Sequence, residues 1–191
     1  MNTKDLKEWF KRVPMYKTLI QNYNDTISYY RDCLSSDEWC IELVKIQEEK
    51  LAVQTSRKNL APQAIEFDLK NIGKKKAKEE IQKYTDKRNS IYRKMYLLDK
   101  AFEYLESIDP ERAYVIECKF INKLSWNDTE INFNNKYRIE KMVGYDYLRH
   151  LIPGGLEYMI EYINSIPWNK INYFHKFKKE YLKVNIECEN K

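Results

Sequence analysis

The sequence predicts an all-α protein, and three observations carry that expectation. Glycine and proline are scarce, 4 and 5 among 191 residues, whereas a β-sandwich or barrel needs turn formers at short intervals. Hydrophobic residues make up 43% and charged residues 33%, the balance of a globular chain rather than a disordered one. Apolar residues recur every three or four positions over long stretches, which places them on one face of a helix.

The first such stretch is residues 3–34. Tyr16, Leu19, Ile20, Tyr23, Ile27, Tyr30 and Leu34 form one stripe, and Pro14 predicts a break before it, since proline fits only a helix's first turn. Ser35-Ser36-Asp37 marks a stop and restart, followed by a helix from Trp39 to Leu51. Pro62 and Gly73 then predict an irregular connector, so residues 1–73 form an N-terminal helical region that ends in it.

The clearest period follows in residues 74–106. Ala77, Ile81, Tyr84, Arg88, Ile91, Met95, Leu98, Phe102 and Leu105 alternate steps of four and three without a slip. That is a coiled-coil seam of about four heptads, with Arg88 its one charged intruder. A seam must be buried, against the first helix or against a second copy of the chain, and the second option predicts a homodimer through residues 76–106.

Ser107-Ile108-Asp109-Pro110 ends this helix and starts the next. Asp109 suits an N-cap, and Pro110 sits where its missing N–H costs nothing. A helix from Glu111 to Ile121 is expected, with Ala113, Val115, Ile116 and Phe120 as its apolar face. Ser125 with Asp128 approximates a capping box for a brief helix, Trp126 to Phe133. Asn134-Asn135 predicts a sharp turn, and Lys136 to Leu151 a further helix that ends at Pro153-Gly154-Gly155. Residues 153–191 form a C-terminal extension with helical pieces at Leu156–Ile163 and Trp168–Val184.

Three short helices with a tight turn suggest a helix-turn-helix over residues 107–152. Within it, Glu111-Arg112, Val115-Ile116, Lys119-Phe120 and Leu124-Ser125-Trp126 resemble the run that opens sigma-factor region 4. The run is closer still to the phage regulators of the ArpU and RinA type, in which a long helical segment also precedes the helix-turn-helix. Phe133 falls where that pattern has a buried leucine, Asn134 where it has a turn glycine, and Leu148 and Leu151 on its closing leucines. The resemblance covers about 45 residues. The sequence departs from it at the usual small alanine, with Glu130 at or next to that position, and at Gly144, inside the expected reading helix.

The resemblance implies Arg112, Ile116, Phe120, Trp126, Phe133 and Leu148 as fold anchors. It implies duplex DNA as the partner, read by Lys136, Tyr137, Arg138, Lys141 and Arg149, with His150 beside them. Lysine and arginine near the start of such a helix can reach phosphates and guanine edges in a major groove. The plain alternative is an amphipathic helix with a solvated basic face. A rival function is a phage-encoded inhibitor, of the anti-CRISPR kind, that binds a host nucleic-acid enzyme such as a CRISPR nuclease.

Two other basic stretches have ordinary explanations. Residues 74–94 hold nine basic and three acidic side chains, the solvated face of a heptad helix or a track for a phosphate backbone. In the tail, Trp168, Tyr173, Phe174, Phe177 and Tyr181 alternate with Lys170, Lys176, Lys178, Lys179 and Lys183. Their helical spacing favours a docked stripe over a platform for single-stranded bases. The whole-chain charge of +5 is mildly basic.

Catalytic signatures are missing: two histidines, no glycine-rich phosphate loop and no nucleophile elbow. No enzyme activity and no cofactor are expected. Cys33, Cys40, Cys118 and Cys188 are scattered, which argues against zinc. No run reaches the ~18 apolar residues of a membrane span, and no secretion signal is evident, so a cytoplasmic setting with reduced thiols is expected. Trp39 and Trp126 are expected as core anchors.

Overall fold

The computed structural model describes residues 1–51 and 62–167, and every described element is helical. Six helices follow in order: α1 (Thr3–Ser35), α2 (Asp37–Leu51), α3 (Pro62–Ile108), α4 (Pro110–Ile116), α5 (Trp126–Tyr137) and α6 (Tyr145–Ser165). One π turn, Glu117–Ile121, continues α4. The all-α expectation holds. The tail piece Trp168–Val184 lies outside the described residues, as do residues 52–61 of the expected connector.

The described chain divides into two compact units, Thr18–Ser90 and Met1–Lys17 with the chain from Ile91 on. In the first, Ile20, Ile27, Cys33, Cys40, Val44 and Ala77 are buried. Tyr23 packs on Tyr84 with ring centroids 5.7 Å apart, and the Arg88 guanidinium donates to Asn24 Oδ1 at 2.8 Å. The charged intruder in the heptad seam thus has a partner on α1. In the other unit, Phe10 meets Phe102 edge-on at 5.5 Å, and Met95, Leu98, Phe102 and Leu105 have no exposed surface. In each unit α1 lies against the seam. α1 thus covers part of the seam, while Ile81, Tyr84 and Arg88 stay half-buried; this packing neither requires nor opposes the homodimer expected through residues 76–106.

Several expected boundaries are corrected. Pro14 does not break α1. It leaves the Phe10 carbonyl without its helical donor, at about 3 kcal/mol. The burial of Phe10, Val13 and Tyr16 around it outweighs that loss, at about 1.5–3 kcal/mol for each large apolar side chain. Gly73 does not punctuate a connector; it lies within α3, which starts at Pro62. A Cβ there would overlap the Cys40 carbonyl oxygen and lie 2.7 Å from its carbon, so glycine is what lets α2 and α3 cross backbone to backbone. Asp37, at the start of α2, pairs with Lys70 and with Lys74 on α3. Trp39 is 49% exposed and is no core anchor.

A further correction concerns α6, which does not stop at Pro153-Gly154-Gly155. Leu148, Leu156, Met159 and Ile163 make a buried stripe along it. A Cβ on Gly155 would lie 2.7 Å from Ile116 Cδ1, and one on Gly154 would overlap the Arg112 guanidinium. These glycines bring α6 close onto α4, and the packing carries the helix past the proline. The expected boundary at residue 153 therefore falls inside one element.

Candidate nucleic-acid interface

Helices α4, α5 and α6 surround a small core of Val115, Phe133 and Leu148, none with exposed surface. Tyr114, Trp126, Tyr137, Val143, Leu151 and Ile152 pack around it, partly buried. Local chemistry sets each helix. The Asp109 carboxylate accepts from the Arg112 N–H at 3.0 Å and caps α4 ahead of Pro110. Ser125 Oγ accepts from the Asp128 N–H at 3.1 Å and donates to the Asp128 carboxylate at 2.6 Å. That is the expected box with its return bond made to the hydroxyl.

The expected reading helix, Lys136 to Leu151, is not one element. Helix α5 runs on through Asn134-Asn135 to Tyr137, an irregular stretch spans residues 138–144, and α6 starts at Tyr145. Asn134 is 5% exposed, and its carboxamide bonds to the Val143 backbone across the irregular stretch. Gly144 is the N-cap of α6, outside the helix, and offers no capping side chain. Glu130 supplies one: its carboxylate accepts from the Tyr145 N–H at 2.8 Å. A negative charge at a helix N-terminus is favourable, which gives the departure from the small alanine a structural role.

The five expected reading residues are therefore scattered. Lys136 lies in the last turn of α5 with its ammonium 4.2 Å over the Tyr114 ring. Tyr137 is half-buried, packs on Phe133 at 5.1 Å and donates to the Pro110 carbonyl at 3.3 Å. Arg138 caps the end of α5 and donates to the Glu111 carboxylate at 2.5 Å. The Glu111 and Tyr147 contacts push its pKa above the ordinary guanidinium value. It is thus a clamp between two helices, not a free arm on a polar face. Lys141 is exposed in the irregular stretch. Arg149 is exposed on α6, where its guanidinium lies 5.1 Å from the Trp126 ring and 4.9 Å from the Tyr145 ring. Asp146 is 3.9 Å from it.

Among the fold anchors, Ile116, Phe133 and Leu148 are fully buried. Phe120 stacks on Phe10 of α1 at 5.5 Å rather than joining the three-helix core. Arg112 pairs with Asp109 at 3.1 Å and lies 5.5 Å from the Tyr158 ring. Trp126 is half-buried at the rim of the core, with the Lys119 ammonium 4.3 Å from its ring and Arg149 also against it. The basic and aromatic cluster at the surface is thus Lys119, Trp126, Tyr145 and Arg149. Sequence reasoning missed Lys119 because it was counted only as part of the motif. Tyr114, at the core's edge, has its phenol pKa pushed up to about 12, first by burial and then by the Cys118 thiol.

The outward face of α6 opens with Tyr145, Asp146, Tyr147, Arg149 and His150, all exposed around the buried Leu148. Beside it, Ile139 and Met142 are 80% and 76% exposed. Among the described residues no cluster of His, Cys, Asp and Glu could hold a metal ion, and no helix is long and apolar enough to cross a membrane. The chain matches no protein-family model, no curated protein and no solved structure.

Proposed function

We propose that the chain is a phage-type transcription regulator that binds duplex DNA. In this reading α4, α5 and α6 form a helix-turn-helix with a long turn, and the first two turns of α6 enter the major groove. The observation that supports it most is the exposed run at the start of α6, held outward by Leu148 in the core. Arg149, His150 and the Tyr145 and Tyr147 phenols offer donors to phosphates and base edges. Lys141 and Lys136 flank them as phosphate contacts. Asp146, within the same face, disfavours phosphate beneath it and favours cytosine N4 as its neighbour. Fluorescence anisotropy with random-sequence duplex across a salt series tests the reading. Binding whose log affinity falls linearly with log salt supports it, and no duplex binding at low salt overturns it.

One observation favours a second reading, that of an inhibitor bound to a host nucleic-acid enzyme such as a CRISPR nuclease. Ile139 and Met142 are both more than three-quarters exposed on one irregular stretch, and phosphate has no use for an apolar tip. Cleavage by a purified CRISPR nuclease, with and without equimolar protein, separates the two readings.

A further inference from the structure

A pocket of about 230 Å³ opens between α1 and the π turn, lined by Phe10, Val13, Pro14 and Lys17 on one side and by Phe120 and Lys123 on the other. Its position follows from two irregular helical turns that face each other. Pro14 removes one hydrogen bond from α1, and the π turn at Glu117–Ile121 inserts an extra residue, so that Asn122 N–H reaches back to the Glu117 carbonyl. π turns of this kind occur frequently at functional sites. The lining is mostly apolar, and its two charged residues, Lys17 and Lys123, are both cationic. Neither Lys17 nor Lys123 forms an ion pair with a described residue. Lys123 also holds the backbone at φ 53°, a left-handed conformation that residues with a side chain rarely adopt. Strain of that kind persists where the surrounding structure imposes it, and ligand clamps are among the places where it collects.

We infer that this pocket binds a small amphipathic carboxylate, with its alkyl tail against Phe10, Val13 and Phe120 and its carboxylate at Lys17 and Lys123. An apolar pocket lined by two lysines, neither ion-paired with a described residue, is complementary to that chemistry and to neither a neutral lipid nor a cation. The volume holds about eight water-sized volumes of ~30 Å³ each and falls below the about 300–1,000 Å³ of drug-sized sites. It therefore suits a short chain such as octanoate. The inference does not depend on what α6 binds.

Calorimetric titration of the full chain with octanoate, and with 1-octanol as the uncharged control, tests it. Saturable one-site binding of octanoate is expected, tighter than that of octanol. The double variant Lys17→Gln, Lys123→Gly should weaken octanoate by about tenfold or more and leave octanol unchanged, since a charge-assisted hydrogen bond is lost. Lys123→Gly alone should raise the melting temperature while it weakens octanoate, because glycine accepts the left-handed backbone. That opposite movement distinguishes loss of a ligand group from loss of fold. Val13→Phe, which occupies the pocket, should abolish both ligands; should it fail to fold, the lysine variants decide alone. No saturable octanoate binding at millimolar concentration, or binding equal to that of octanol and indifferent to both lysines, overturns the inference.

Discussion

The carboxamide of Asn134 bonds to the backbone of Val143 in both directions: Nδ2 donates to the Val143 carbonyl at 2.9 Å, and Oδ1 accepts from the Val143 N–H at 2.9 Å. One side chain on α5 thereby satisfies two backbone groups of the irregular stretch 138–144 and fixes where α6 starts. With Asn134 only 5% exposed, solvent has little access to the groups it satisfies. Asn134→Ala should cost about 1–3 kcal/mol, the penalty for orphaned buried polar groups. Faster amide exchange should be confined to residues 138–146. A melting temperature equal to the wild type's would show that the clasp does not hold the stretch.

Two glycines make opposite predictions. Gly73→Ala would ordinarily gain roughly 0.5–1 kcal/mol in a helix, but its Cβ meets the Cys40 backbone, which has nowhere to go. A net loss of about 1–3 kcal/mol is expected, as for other overpacked positions. Gly144 has open space around it and extended N-cap backbone, φ −81° and ψ 167°. Gly144→Ser should gain a few tenths of a kcal/mol by adding a cap. Chemical denaturation of both variants checks the pair, and stabilisation by Gly73→Ala would refute the close crossing.

Much of this fold was legible because helix period and cap chemistry are local. Asp109-Pro110 and Ser125 mark their helix starts by their own hydrogen bonds, and the alternation from Ala77 to Leu105 marks one buried face. What escaped the sequence depends on contacts between elements. Asn134 has the local signature of a turn, and only Val143, nine positions on, turns it into a clasp. Pro14, Gly73, Pro153 and the two glycines after it all carry the signature of breaks, yet packing across helices holds each within one. The expected reading helix is divided for the same reason. Arg138 is a basic residue in the right stretch, but its partner Glu111 lies on a different helix, and no periodicity within residues 136–151 reveals that pairing.

Trp126 tests the rim of the three-helix core. It is half-buried, with Lys119 and Arg149 against its ring. Trp126→Ala should therefore cost less than the about 3–5 kcal/mol of a fully buried aromatic, yet more than 1 kcal/mol. Trp126→Phe should recover most of it, since a phenyl ring still covers the core and still faces both cations. Thermal melts of the unliganded protein decide. A loss for Phe as large as that for Ala would assign the effect to something other than packing and ring contact.

Arg138 and Lys141 separate fold from reading. Arg138→Ala breaks the clamp to Glu111 and should lower the melting temperature, whereas Lys141→Ala, exposed in the irregular stretch, should leave it unchanged. In the DNA-binding reading, Lys141→Ala and Arg149→Ala each remove one phosphate contact. Each should flatten the slope of log affinity against log salt by roughly 0.9. If Arg149 or His150 instead meets a base edge, the slope stays and preference at one base pair relaxes by about 1–3 kcal/mol. Ile139→Ser with Met142→Ser should not alter duplex affinity, because neither side chain can pair with phosphate. In the inhibitor reading the pattern reverses: the two apolar substitutions abolish inhibition of the nuclease, and the basic ones change it little. Duplex affinity and salt slope that match the wild type's in both basic variants would remove the start of α6 from any DNA interface.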